Sequence, residues 1–412
     1  MKKYLFILPL LASLLFTACS SDDDEVAKSY NVTVTVTGGD DIVLNDVTDL
    51  TVKVINTKTS KEQTATATAG SAALVLSAGT YNFQVTGKYK DHDISGVSSN
   101  VTVVGNYTVP LTIKYAAVNS SLIFKEVYFS GVKSYYFKDA FYEIYNNSNQ
   151  TQYLDGVILG VVDDGLPVGT YTPANSIWVD GSGSLLSSYP MYSFTMYFPG
   201  SGTEHPLEPG KSVVVAVSAI NHSARTLSSG DVQSPVDLSK ANWEMYVQGK
   251  TVTLTDNPDI PNLEFAYKNM GIQFMPSTSG EAVILAKLPT GVKITDFLAS
   301  ADNFKVKPGT SLTANLMIPS DYVIDAIDIV RAPATERYKH LLTKDDLGQA
   351  WVDGSSNGSL QDAAYSGKSL RRKVSAVVNG RSIYKDTNNS SVDFIKGGST
   401  PTPGIISTTV DE

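Results

Sequence analysis

Near the end of the chain, Asp386-x-Asn388-x-Ser390 with Asp393 behind it spaces four oxygen-bearing side chains along one short stretch. Such a row suits a hard cation such as calcium. A calcium loop of the EF-hand type needs a glycine at its sixth position and a bidentate acid at its twelfth. Counting from Asp386, those positions hold Ser391 and Gly397, so both requirements fail. The same residues read better as a side-chain-bonded turn from Asp386 to Ser390. A short last strand, Val392-Asp393-Phe394-Ile395, would follow, with Pro401 and Pro403 leading the chain out of its domain.

Other chemistry is sparse. The four histidines, His92, His205, His222 and His340, form no His-x-x-x-His or Cys/His pattern and read as scattered surface side chains. A transition-metal or haem role would rest on His205 and His222 flanking one strand. Gly210-Lys211-Ser212 and Gly367-Lys368-Ser369 have the tail of a phosphate loop. The glycine needed five residues earlier is replaced by His205 and Asp362, which leaves ordinary turns. No Gly-x-Ser-x-Gly elbow occurs. The acid pairs Asp163-Asp164 and Asp345-Asp346 read as solvated or capping groups. A hydrolase acting from the loops would need two carboxyls roughly 5–9.5 Å apart in a cleft. No catalytic residue, metal site or cofactor is expected, and the chain reads as non-enzymatic.

Aromatic residues offer more. "SIWVDGSGSLLSSYPMYSFTMYFPGSG" sets Trp178, Tyr189, Tyr192, Phe194, Tyr197 and Phe198 among glycines and serines. Alternation puts Tyr192, Phe194 and Met196 on one strand face, as core. Trp178, Tyr189 and Tyr197, joined by Trp243 and Trp351 from other segments, then form a candidate stacking platform for a sugar or another flat ligand.

The elements that must carry these side chains are read from the N-terminus onward. Lys2 and Lys3 precede an apolar run from Tyr4 to Phe16, broken only by Ser13, and small residues lead to Cys19. That is the layout of a secretory signal, too short to span a bilayer. Phe16-Thr17-Ala18-Cys19 resembles a bacterial lipobox, with Phe16 where the usual pattern has Leu. The resemblance implies acylation of Cys19 and a membrane partner through that anchor. Cys19 is the only cysteine, so an internal disulfide is excluded. Ser21, Asp22, Asp23 and Asp24 follow in a polar acidic linker. This stretch resembles the surface-export signal of Bacteroidota lipoproteins, which implies an outer-membrane protein facing the cell exterior.

The formal net charge is -9, and removing Lys2 and Lys3 with the signal takes it to -11. A nucleic-acid partner held by bulk charge is thereby excluded. At 412 residues the chain is long enough for two or three domains. The expected boundaries are 1–18 signal, 19–28 tether, 29–117 first domain, 120–404 second domain and 405–412 tail.

Residues 29–117 predict a small antiparallel β-sandwich. Val32, Val34 and Val36 alternate with threonines, and Leu50–Ile55, Ala72–Leu76, Val101–Val104 and Tyr107–Ile113 add short runs between turn signals. "SAGTYNFQV" resembles the Gly-Thr-Tyr hairpin of transthyretin-like and carboxypeptidase-regulatory-like modules, which implies an inward Tyr81.

From Ser121 the pattern changes to a larger all-β unit. In "DAFYEIYNNSNQTQYLDGVILG", Phe141, Glu143 and Tyr145 alternate with Tyr142 and Ile144. Lys125-Glu126-Val127, Glu143–Asn147 and Leu154–Leu159 are similar to the opening of bacterial lamin-tail domains. "HPLEPGKSVVVA", Gly280–Leu285, Val323–Ile327, Ser369–Arg372 and the "DTNNSSVDF…TPTPG" ending follow in the family's order. The resemblance implies an immunoglobulin-like β-sandwich lengthened by insertions at Asp163–Glu204, His222–Ser279 and Pro333–Gly367. Helices are expected in the last, at Ala334–Leu342 and at Thr343–Ala350 with Thr343 as N-cap. The arrangement also resembles an uncharacterised family of Bacteroidota lipoproteins. The expected function is ligand or partner binding at the cell surface, accessory to an outer-membrane transport protein of nutrient uptake. An adhesin or envelope scaffold is the alternative, and a hydrolase a further one.

Overall fold

The computed structural model describes residues 28–39, 42–90, 92–117, 120–133, 135–163, 178–180, 182–192, 195–247, 254–267, 276–278, 280–307, 311, 313–330, 339–353 and 364–411. The fold is nearly all β, as the alternation predicts. It divides into two units, one of Met1–Gly39, Asp49–Gly87 and Gly96–Ile113 and another of Asp40–Thr48, Lys88–Ser95 and Lys114–Glu412. Cys19, Ser21, Asp22, Asp23 and Asp24 lie outside the described residues. Among the described residues no helix is long and apolar enough to cross a membrane.

Seven strands make the N-terminal sheet: β1 (Ser29–Gly38), β2 (Val47–Asn56), β3 (Glu62–Thr66), β4 (Ser71–Ser77), β5 (Gly79–Tyr89), β6 (His92–Val103) and β7 (Tyr107–Tyr115). Their order is β3-β2-β5-β6-β7-β1-β4. Every second residue is inward: Val32, Val34 and Val36 are buried, as are Phe83, Val85, Leu111 and Ile113. Tyr81 is buried too, and its hydroxyl donates to the Ser77 carbonyl at 2.8 Å. One pairing departs from the antiparallel expectation. β1 lies parallel to β7, with Val34 opposite Val109 and Val36 opposite Leu111. Period-two alternation sets a strand's faces but not its direction, so the sequence pattern could not reveal this.

The larger unit is built on two five-stranded sheets. One runs Trp243–Glu244, Ser212–Ala216, β9 (Phe141–Asn146), β8 (Leu122–Tyr128) and Leu370–Arg371. The other runs Glu264–Tyr267, Thr195–Tyr197, Val157–Val161, Val283–Lys287 and Val323–Ile327. Phe124, Tyr142, Ile144 and Val215 from the first sheet share a core with Leu159, Met196, Leu285 and Ile327 from the second. The outer face of the second sheet is covered as well. Ile158, Ile284 and Tyr197 pack there against Tyr189 and Ile318 of a three-stranded sheet and against Phe297 of the short helix Ile294–Ala299. Strands covered on both faces read as continuous apolar runs rather than alternating ones. In the first sheet β9 is likewise covered on both faces, Tyr142 and Ile144 by the core between the sheets and Phe141 and Tyr145 by separate clusters, and all six of its residues are buried.

Several expectations need correction. The segments read as insertions supply sheet strands, among them Thr195–Tyr197, Trp243–Glu244 and Glu264–Tyr267. Of the two expected helices, most of Ala334–Leu342 lies outside the described residues. Thr343–Ala350 is a turn, held by Leu347 N–H to the Asn388 carbonyl and by Asp346 within the core. The last strand is instead a single helical turn, Ser390–Asp393, capped by Asn389. The short polar residues there bond their own backbone in preference to a ladder. The 405–412 tail is tied back at Asp411, which pairs with Arg371 at 2.8 Å and accepts the Val374 N–H.

Candidate functional site

The aromatic residues singled out by spacing are placed in the interior. Trp178 packs with Met317 and Leu186. Tyr189 and Tyr197 belong to the core on the outer face of the second sheet, and Trp243 to the core between the sheets. Trp243 stands edge-on to Phe198 at 5.2 Å and to the His205 ring at 4.9 Å. The Tyr189 hydroxyl donates to Asp345 at 2.5 Å and accepts the Leu342 N–H, while Tyr197 donates to Glu264. Burial, reinforced by Glu264, pushes the Tyr197 pKa up to about 12. All four are buried in three separate clusters, so they form no stacking platform. Sheet faces expected to meet solvent are covered by the segments between them, and both phenols find a carboxylate partner inside.

An exposed aromatic group exists elsewhere. The chain turns tightly at Gly131, with a φ of +61° and no room for a side chain: a Cβ would sit 2.3 Å from the Tyr136 carbonyl. Val132 and Tyr136 then exchange backbone hydrogen bonds at 2.8 and 3.2 Å. This small hairpin is laced to the segment before Leu370. Tyr365 N–H donates to the Ser130 carbonyl and Gly367 N–H to that of Gly131, and Val132 bridges Ser366. The lacing brings the Tyr135 and Tyr365 rings together at 5.2 Å and 74°, with Phe137 6.4 Å from Tyr365. Tyr135 is 79% exposed.

Both tyrosines have φ in the left-handed region, +63° for Tyr135 and +59° for Tyr365. For a bulky L-residue this costs about 1–2 kcal/mol per position. Nothing in the core requires a ring at Tyr135, so burial does not offset the strain there. Strained backbone of this kind clusters at ligand-binding positions.

Behind the exposed rings lies a polar layer. The Tyr136 hydroxyl meets Nδ1 of His222 at 2.6 Å, and Nε2 of His222 meets the Ser218 carbonyl at 2.8 Å. A carbonyl only accepts, so Nε2 carries the proton and Nδ1 accepts from the phenol. Burial holds the His222 pKa down to about 4, which keeps this tautomer neutral. The Arg225 guanidinium covers the Tyr136 ring at 4.2 Å and reaches Asp231 at 3.4 Å. Deeper still, Asp139 accepts from Tyr128 and Ser234, and burial raises its pKa to about 6. Three atoms in this layer, Oδ1 of Asp139, Nε of Arg225 and Oγ of Ser366, have no hydrogen-bond partner among the described residues.

The remaining chemistry-bearing groups are mainly structural. His92, His222 and His340 are buried, which overturns the reading of scattered surface histidines. Asp155, Glu204 and His205 place ligand atoms within 4.8 Å of one another. Asp155, however, already accepts the N–H groups of Gly202, Glu204 and His205, and thereby closes the loop before Pro206. Asp346 is fully buried, not solvated, and accepts from Asp328, Gly348 and Ser390 N–H groups. Asp386, the head of the calcium-like row, pairs with Arg372 at 3.2 Å. Asp393 bonds Thr387 through both backbone and hydroxyl.

Sequence spacing missed the exposed cluster because its rings come from positions 135 and 365, joined only by tertiary pairing. The available signal was "SYYFK", three consecutive aromatics just after Ser130-Gly131, where a strand alternation would not place them.

Comparison with known proteins gives similarities without an activity. A crystal structure of a DUF4876 family protein from Bacteroides thetaiotaomicron VPI-5482 is similar to this chain with 26% identity and a TM-score of 0.57, covering 93% of this chain and 98% of that one. A leucine-rich repeat protein from the same organism matches at 16% identity and a TM-score of 0.17, over 45% of this chain and 24% of its own. No curated protein matches. Residues 208–401, within the larger unit, match the model of DUF4876, described as a protein of unknown function.

Proposed function

We propose that this protein is a non-enzymatic, lipid-anchored surface protein that binds a ligand through Tyr135, Phe137 and Tyr365. The observation that carries the reading is the pair of touching tyrosine rings on left-handed backbone, one of them almost wholly exposed. Exposed aromatic faces stack on flat ligands and sugar rings, and rigid rings lose little entropy on binding. The anchor at Cys19 and the export signal at Ser21–Asp24 make it an outer-membrane lipoprotein facing outward. Its service is accessory to nutrient uptake by an outer-membrane transport protein.

The test is a thermal-shift screen of the full chain in detergent against glycans, haem and divalent metals, repeated with Tyr135→Ala and Tyr365→Ala. Ligand binding raises the melting temperature in proportion to saturation. A hit abolished by both substitutions supports the reading; a hit they leave untouched, or no hit at all, removes it in favour of a scaffold or adhesin. Anchoring is tested separately by alkyne-palmitate labelling, which Cys19→Ser should abolish.

A further inference from the structure

We infer that the ligand of the Tyr135–Tyr365 cluster is an anionic sugar, one bearing a carboxylate or sulfate on the ring that stacks. The inference rests on the binding reading above and adds the sign of the ligand's charge.

Three observations carry it. First, the two segments that make the cluster break the charge balance of the chain. Acids outnumber bases by 41 to 32 overall, yet residues 128–138 and 364–370 hold Lys133, Lys138 and Lys368 and no Asp or Glu. Second, the pairing of the segments sets one lysine from each on the same paired stretch of backbone that carries the rings. Lys133 follows the Val132–Ser366 bridge, and Lys368 is tied to the hairpin base by hydrogen bonds of its N–H and carbonyl with the Ser130 hydroxyl. Third, neither the Lys133 nor the Lys368 ammonium has a hydrogen bond or ion pair among the described residues. The acids of the polar layer behind the rings are turned to other groups: Asp139 is fully buried and accepts from Tyr128 and Ser234 through Oδ2, and Asp231 is held by Arg225.

An ammonium from each of the two segments that carry the rings, unpaired among the described residues, is complementary to a ligand that stacks and bears negative charge. Stacking is indifferent to ligand charge, whereas the lysines are not. In an acidic protein the local field would otherwise repel such a ligand, so these cations decide between neutral and anionic sugars. Each exposed ion pair is worth a few tenths to about 1 kcal/mol, so two change affinity by roughly three- to thirtyfold, and less as salt rises.

The experiment is calorimetric titration of the full chain in detergent with tetragalacturonate and galactose-6-sulfate, against the neutral galactotetraose and galactose, at low and high salt. The expected result is preferential binding of at least one anionic probe, weakened roughly three- to thirtyfold by Lys133→Gln with Lys368→Gln and weakened again by salt. Neutral probes should respond to neither change. Equal binding of neutral and anionic probes, or anionic binding unaffected by the lysine substitutions, overturns the charge assignment while Tyr135→Ala still tests the binding site. Binding by none of the four overturns the sugar assignment itself. The wider screen with haem and metals then decides the ligand-binding reading on its own.

Discussion

Arg372 holds Asp325 through both carboxylate oxygens, Nη2 lying 2.9 Å from Oδ1 and 2.7 Å from Oδ2, with both side chains almost completely buried. The same guanidinium reaches Asp386 and Asp393, donates from Nε to the Phe124 carbonyl and lies 4.7 Å over the Phe394 ring. One cation thus ties a strand of the second sheet, β8 and the closing segment into a single buried node.

Removing that cation should unfold the larger unit's closure. Arg372→Met leaves three buried carboxylates without their partner, and breaking a buried pair in this way costs about 3–5 kcal/mol. Arg372→Lys should recover little of it, because an ammonium cannot reproduce a planar group that bonds Phe124 through Nε, Asp386 through Nη1 and Asp325 through Nη2. Denaturant midpoints of the two variants check this; a Lys variant as stable as the parent would refute it.

The node also sets a pH dependence. Burial outweighs the guanidinium and pushes the Asp325 and Asp393 pKa values up to about 7, from a usual 3.8. Between those values the folded protein holds protons that the unfolded chain has released, so stability is full below about pH 4 and is lost as pH rises through 7. Asp139, raised to about 6, acts in the same direction. His222, lowered to about 4, acts in the opposite one, its contribution lost as pH falls from 6.5. Three carboxyls outweigh one imidazole. The melting temperature should therefore fall from pH 5 to pH 7.5, with a shallower slope in Asp393→Asn. A melting temperature that climbs over this range would contradict the assignment.

Lys125 and Glu143 form a second buried pair at 2.6 Å, and Glu143 also accepts from Ser212 and from Gly404 N–H. Glu126, one strand across, accepts the Thr402 N–H and hydroxyl. These two glutamates clasp the Thr402–Gly404 stretch. Lys125→Met alone should cost about 3–5 kcal/mol, whereas Lys125→Met with Glu143→Leu should cost less than the single change. A double-mutant cycle by urea denaturation reads the difference.

Tyr135 separates function from stability. Tyr135→Gly removes left-handed strain worth about 1–2 kcal/mol and exposes no core, while glycine's freedom in the unfolded chain offsets part of the gain. The variant should melt within a few degrees of the parent and lose ligand binding. A large drop in melting temperature would mean that the ring is structural.

The placement of these groups explains what could be read in advance. Val32, Val34, Val36 and Tyr81 declared themselves, because period-two burial and turn residues are local properties of the chain. The side-chain-bonded turn after Asp386 was legible for the same reason, since its partners lie within a few residues of one another. The direction of β1 against β7 was not, nor was the burial of Trp178, Tyr189, Tyr197 and Trp243. Whether an aromatic faces water depends on which distant segment covers its sheet.

By itself the sequence determined an all-β chain with an acidic balance, and it carries the motif around Cys19 on which the proposed anchoring rests. Only the tertiary structure decided that Tyr135 meets Tyr365, and that Arg372 gathers Asp325, Asp386 and Asp393. Those pairings join residues far apart in the chain. Their energy comes from desolvation and ring contact, which exist only once the sheets have packed.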